Sequence, residues 1–335
     1  MERNHLILAV VAVVALLIAP HLLYSVFLMK VLCFALFACA FNLLLGYGGL
    51  LSFGHAAYFG SASYVTAHTM KVWGFTPELG IIAGMLAAAL LGLVFGWLAI
   101  RRAGIYFAMV TLAFAQMVYF YALQAPFTGG EDGIQAVPRG ELFGFIDLRD
   151  DISLYYFVLA LFLIGFFVLY RTVYSPFGQV LKAIRENEPR AISLGYRTNH
   201  FKLATFVLSA TFSGMAGAAT VLVFQLASLT YVEWQMSGEV VLMTLLGGMG
   251  TVLGPVVGAA LVVTLQTYLA PFGAWVTIIL GVIFVICVLL FRRGIVGEAL
   301  ARFAFLKNDK AQLQRSDVAE ATVTKEAAHD PVKPL

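Results

Sequence analysis

Ten apolar runs separated by short polar connections limit what this chain can fold into. They fall at about 6–20, 23–46, 50–70, 79–100, 104–124, 152–170, 201–224, 236–249, 252–270 and 274–291. About 20 apolar residues in a helix cross the hydrocarbon core of a bilayer, and a helix satisfies its own backbone groups where no water can. The predicted fold is an all-α polytopic membrane protein with about ten transmembrane helices. Charge content agrees: 12% of the 335 residues are Asp, Glu, Lys or Arg and 61% are hydrophobic, too little charge to cover a soluble domain of this length. The first run has the length of a signal peptide, but no A-x-A site follows it and apolar sequence resumes after Pro20 and His21.

The placement of charge orients the chain. Within 171–202 there are six basic residues (Arg171, Lys182, Arg185, Arg190, Arg197, Lys202) against Glu186 and Glu188, a net +4. Within 125–151, Arg139 and Arg149 stand against Glu131, Asp132, Glu141, Asp147, Asp150 and Asp151, a net −4. Arg101, Arg102, Arg292 and Arg293 also follow even-numbered runs. By the positive-inside rule, 171–202 is cytoplasmic, 125–151 is outside, and both termini are cytoplasmic.

The stretch Tyr174–Phe206 is the one long polar segment between strongly apolar neighbours, and it carries helix punctuation. Ser175 can cap a helix with Pro176 at its first position, and Val180, Leu181 and Ile184 repeat at helical spacing. Pro189 ends that helix and opens a second, which Gly195 stops. Two short amphipathic helices beside a membrane suit a docking surface; an ordinary basic connector is the plainer alternative.

Glycine concentrates in Leu43–Gly60 and in Leu245–Ala260, one stretch in each half of the chain. Paired glycine interruptions point to broken helices along a pathway, or to tight hairpins and close helix packing; both readings stand. Asn42, Gly46, Ser52, Gly54, His55 and Gln116 are the candidate pathway residues, with Ser61 and Thr128 as further small or polar groups. Gly247, Gly248, Gly250 and Gly254 form the candidate glycine turn. His55 also fits a hydrogen-bonded core histidine, Lys30 can snorkel to the interface, and Glu233 and Glu239 sit at the outer start of the eighth run.

Enzymatic motifs are absent. The six histidines are scattered, there is no HExxH or G-x-S-x-G, and the dipeptide Gly-Lys of a Walker A loop never occurs. Any ATP that drives this chain is hydrolysed by another polypeptide. Cys33, Cys39 and Cys287 lie inside apolar runs and fit neither zinc spacing nor a disulfide framework. A net charge of +3 does not suggest nucleic acid.

Six ordered motifs carry a resemblance: NLLLGYGGLLSFGHAAYFG (Asn42–Gly60), IYFAMVTLAF (Ile105–Phe114), TGGEDGI (Thr128–Ile134), SPFGQVLKAIRENEPRAISLGY (Ser175–Tyr196), LLGGMGTVLGP (Leu245–Pro255) and FRRGIVG (Phe291–Gly297). Together they resemble the M-type (LivM-type) permease subunits of branched-chain amino-acid ABC importers, from about Asn42 to Gly297. The resemblance implies a type II importer-like permease of the bacterial inner membrane, embedded in lipid. It implies partnership with a second related permease, two ABC ATPase subunits and a periplasmic solute-binding protein. This chain then needs no cofactor or metal of its own, since ATP and Mg sit on the ATPases. It further implies that Ser175–Tyr196 is the coupling loop. Phe177, Leu181 and Ile184 would enter a groove of the ATPase, with Arg185, Glu186 and Glu188 as its polar rim and Ala191 and Gly195 as the small positions. The loop departs from the E-A-A-x3-G pattern of ABC permeases: Pro189 occupies the acidic position and Glu188 lies one residue earlier. Leucine, isoleucine and valine are the implied solutes; urea and small amides are the family's other substrates, and a stand-alone secondary transporter is the other class of reading. A membrane enzyme or an assembly factor is a third class, for which no catalytic constellation is present. The permease domain is expected over 1–305 with its coupling loop at 174–200, and a disordered cytoplasmic tail over 306–335.

Overall fold

In the computed structural model, which describes residues 13–142, 144–273, 275–290 and 294–298, the chain is a succession of helices. These are α1 (13–18), α2 (Ser25–Asn42), α3 (His55–Lys71), α4 (Pro77–Ala99), α5 (Ile105–Gln124) and α6 (Asp151–Val173), then α7 (Pro176–Glu186), α8 (Glu188–Ser193), α9 (Thr198–Phe224), α10 (Trp234–Gly247), α11 (Gly254–Leu269) and α12 (Trp275–Leu290). A π-helical turn, Leu43–Tyr47, continues α2. Helix starts fall where the sequence can supply them: Pro77 and Pro255 lie in the first turns of α4 and α11, and Asp150 caps α6 by accepting from the Ser153 N–H at 3.2 Å.

Runs two to ten each contain a helix, but they differ in reach. Among the described residues, six segments are long and apolar enough to cross a membrane: Ser25–Tyr47, Pro77–Ala99, Ile105–Gln124, Asp151–Val173, Thr198–Phe224 and Gly254–Phe272. α3, α10 and α12 have 17, 14 and 16 residues, shorter than the roughly 20 that span fully. The run expected over 50–70 is helical only from His55; residues 48–54 form a turn. Residues 6–12 of the first run, Arg292, Arg293 and the 306–335 tail lie outside the described residues.

α2 is apolar all round because it is central: every residue from Leu32 to Asn42 is buried, against α6, α9, α10 and α11. α4 faces two environments instead. Gly80, Gly84, Ala88, Gly92 and Gly96 make a stripe of small residues turned to α3 and α9, while Leu86, Leu90 and Trp97 are exposed. A Cβ at Gly96 would stand 2.8 Å from the Phe206 ring, so the stripe lets the backbones approach where lipid gives no hydrophobic drive.

Opposite ends of the helices carry opposite features. At one face the 125–151 loop is folded down: β1 (Ile134–Gln135) pairs antiparallel with a strand after α9, Leu226–Ala227, in the register Ile134↔Ala227. Arg139 pins it there. Its guanidinium donates to the Leu222 and Val223 carbonyls at 3.2 and 3.1 Å and pairs with Asp151 at 2.8 Å. At the other face lie α7, α8 and the two glycine turns.

Candidate functional site

The α7–α8 hairpin is built by its caps. Ser175 accepts from the Gly178 N–H at 3.4 Å with Pro176 opening α7, and Asn187 accepts from the Arg190 N–H at 3.0 Å to start α8. At the end of α8, Gly195 takes φ +88°, the Tyr196 N–H reaches the Ala191 carbonyl and the Gly195 N–H reaches the Ile192 carbonyl. This is a Schellman closure. No atom lies within 4 Å of where a Gly195 Cβ would sit, so conformation and not space calls for glycine there.

The apolar face of α7 points into its own subunit. Leu181 is 0% and Ile184 3% exposed, and Phe177 stacks on Phe201 of α9 with centroids 5.4 Å apart. These three residues, expected to enter a partner's groove, instead seat the hairpin on α9 and the bundle. Ala191 is 2% exposed, small where α8 meets that surface. Glu188 pairs with Lys202 of α9 at 2.5 Å and so fastens α8, whereas Glu186 is exposed. The outward apolar surface is different: Ile192, Leu194 and Tyr196 are 56%, 70% and 42% exposed.

Both glycine turns meet beneath this hairpin. Asn42 joins them, its Nδ2 donating to the Thr251 carbonyl at 2.8 Å and its Oδ1 accepting from the Gly250 N–H at 3.0 Å. A Cβ at Gly46 would stand 2.6 Å from the Gly250 nitrogen, so the two backbones touch. Gly247 and Gly254 face each other across the α10–α11 turn, and a Cβ at Gly247 would overlap the Gly254 carbonyl. Gly248, at φ +117°, starts that turn, and its carbonyl accepts from Thr251 Oγ1 at 2.7 Å. From above, Arg185 Nη1 donates to the Gly46 carbonyl, and the Lys182 ammonium lies 5.6 Å from the centroid of the Tyr47 ring. A small pocket lined by Cys39, Asn42, Tyr47, Tyr170 and Val252 opens beside the junction.

His55 sits one step deeper and is fully buried. Its Nε2 lies 2.8 Å from Ser209 Oγ, which donates to the Ala40 carbonyl at 2.6 Å. With the hydroxyl proton committed to Ala40, Nε2 is the donor to Ser209. This chain of bonds ties α2, α3 and α9 together, and Phe41 and Tyr58 pack edge-on to the imidazole. Ser52 accepts from the Gly54 N–H at 3.2 Å, and a Cβ on Gly54 would stand 2.9 Å from the Thr111 carbonyl. Gln116, half-buried on α5, is not hydrogen-bonded to any of these groups. Among the described residues no group of three His, Cys, Asp or Glu side chains is placed to hold a metal ion.

Residues 23–289 match the model of the branched-chain amino acid transport system permease component family. The chain belongs to this family. Two LivM proteins, each described as a high-affinity branched-chain amino acid transport system permease protein, are similar to it. The one from Escherichia coli K12 is 31% identical and that from Salmonella typhimurium LT2 is 30% identical, each over 265 residues covering 71% of this chain. The chain spans about 60% of the length of these relatives. No solved structure matches it. As a member of this permease family with apolar helices of spanning length, it is a multi-pass membrane protein.

Three features of this chain were not singled out from the sequence. The outward patch Ile192–Leu194–Tyr196 lacks helical periodicity, because Leu194 and Tyr196 lie past the end of α8. The small-residue stripe of α4 repeats every four residues and was open to view, but its lipid-facing leucines share the same run. The Asn42 bridge spans 209 positions, a separation no local pattern reports.

Proposed function

We propose that this chain is a membrane-spanning subunit of an ATP-driven importer and moves branched-chain amino acids across the bacterial inner membrane. A second related permease completes the membrane part, two ATPase subunits bind and hydrolyse ATP with Mg, and a periplasmic solute-binding protein delivers the solute. The α7–α8 hairpin carries the reading. It is a capped, rigid projection at the basic face, anchored inward by Leu181 and Ile184 and presenting Ile192, Leu194 and Tyr196 outward. A protruding apolar edge of this kind fits a groove on a partner. On this reading the loop charges make that face cytoplasmic, the 125–151 loop periplasmic and both termini cytoplasmic.

The test is purification of the chain with its partners, followed by uptake in proteoliposomes. Uptake of leucine, isoleucine or valine that requires both ATP and the binding protein is expected. Uptake of urea alone would move the substrate to the amides. Uptake by this chain alone, driven by an ion gradient, would overturn the importer reading.

A further inference from the structure

Arg185 was expected on the rim of a partner contact, yet its head group is turned to the opposite side. Nη1 donates to the Gly46 carbonyl in the π-helical end of α2. Its methylenes lie over Gly49, where φ is +69° and an added Cβ would come within 2.9 Å of the Arg185 Cγ. The same Nη1 is 3.5 Å from where a Cβ on Gly250 would sit. One guanidinium on α7 thus lies where the α2–α3 and α10–α11 turns meet.

The carbonyls at the end of a helix have no partner within it, and Gly46 is buried, so its carbonyl takes its partner from another element. A cation is favoured at this end of the helix dipole, and its hydrogen bond is charge-assisted. If α7 moves away, it either leaves the Gly46 carbonyl bare or takes the turn with it. The turn in turn cannot move alone, because Asn42 is bonded to Gly250 and Thr251. Lys182 over Tyr47, at 5.6 Å, adds a second grip from the same helix.

We infer that Arg185 is the positioning residue that links the coupling helix to the paired glycine turns, so that movement of α7 is transmitted into both of them. It acts through the turns, not on the solute or the ATPase. The inference rests on the importer reading above and adds to it the route by which the hairpin reaches the membrane helices. Lysine is only a partial substitute, since it keeps a donor but loses the fixed planar geometry of the guanidinium.

The test uses the complete complex in proteoliposomes, with wild type, Arg185→Gln and Arg185→Lys compared for subunit stoichiometry and for solute taken up per ATP hydrolysed. The ratio reports coupling, and a residue needed only for folding or for ATPase docking lowers both quantities together. Arg185→Gln should assemble with its partners and lower the ratio more than tenfold, and Arg185→Lys should fall between it and wild type. An unchanged ratio in Arg185→Gln, including equal losses of hydrolysis and uptake, overturns the inference while leaving the importer intact. If Arg185→Gln does not assemble, Arg185→Lys decides: a wild-type ratio overturns the inference and a reduced one supports it. A wild-type complex that holds no ATPase overturns both readings.

Discussion

At the scale of single residues, burial and bonding separate candidates that looked alike in sequence. Asn42 and Gln116 are both polar groups in apolar runs, but Asn42 satisfies two backbone groups of another turn while Gln116 is half-buried. Asn42→Ala should therefore destabilise the protein by about 2 kcal/mol, the cost of leaving buried partners unsatisfied. Gln116→Ala should be neutral within about 0.5 kcal/mol; thermal unfolding in detergent checks both, and equal shifts would contradict the bridge. Gly54 and Gly195 differ in the same way. Gly54→Leu would drive a side chain into the Thr111 carbonyl and is expected to lower assembly or uptake at normal expression. Gly195→Ala meets no neighbour and costs only the left-handed backbone, about 1 kcal/mol, visible as faster amide exchange over 188–196. Sequence reading could mark all four positions by residue type. It could not tell space from conformation, because that depends on what lies opposite.

At the scale of elements, the α7–α8 hairpin shows where reading stops. Its boundaries were legible, since Ser175, Pro176, Pro189 and Gly195 act through local backbone chemistry. The partner of its apolar face was not. Periodicity reports that α7 has such a face, and Leu181 and Ile184 could cover a neighbouring protein or their own bundle; here they cover their own. On the proposed importer reading, the double change Ile192→Asp with Leu194→Asp should therefore abolish ATPase co-purification while leaving the chain inserted. Leu181→Asp should unseat the hairpin and lower expression instead, since a charge would be buried without a partner. Retention of the ATPase by the Ile192 and Leu194 variant would remove this edge from the interface.

At the scale of the molecule, hydropathy located the helices, and charge sorted their ends into two faces. Loop chemistry agrees with that sorting, because 125–151 folds at one face and the hairpin at the other. Phe145→Cys, at a site 92% exposed, should react with an impermeant maleimide from the periplasm, and Asn199→Cys should react only after permeabilisation. Labelling of both from one side would refute the topology. Span length was less legible: hydropathy sums over the apolar turn 48–54 as readily as over helix, which lengthened the third run beyond α3. α9 has a consequence at this scale. It is unbroken from Thr198 to Phe224, gripped near one end by Glu188 through Lys202 and near the other by Arg139. Such a member works as a tie rod. The 125–151 loop is fastened to its far end, so a tilt begun at the hairpin side arrives at the opposite face with little slack to absorb it.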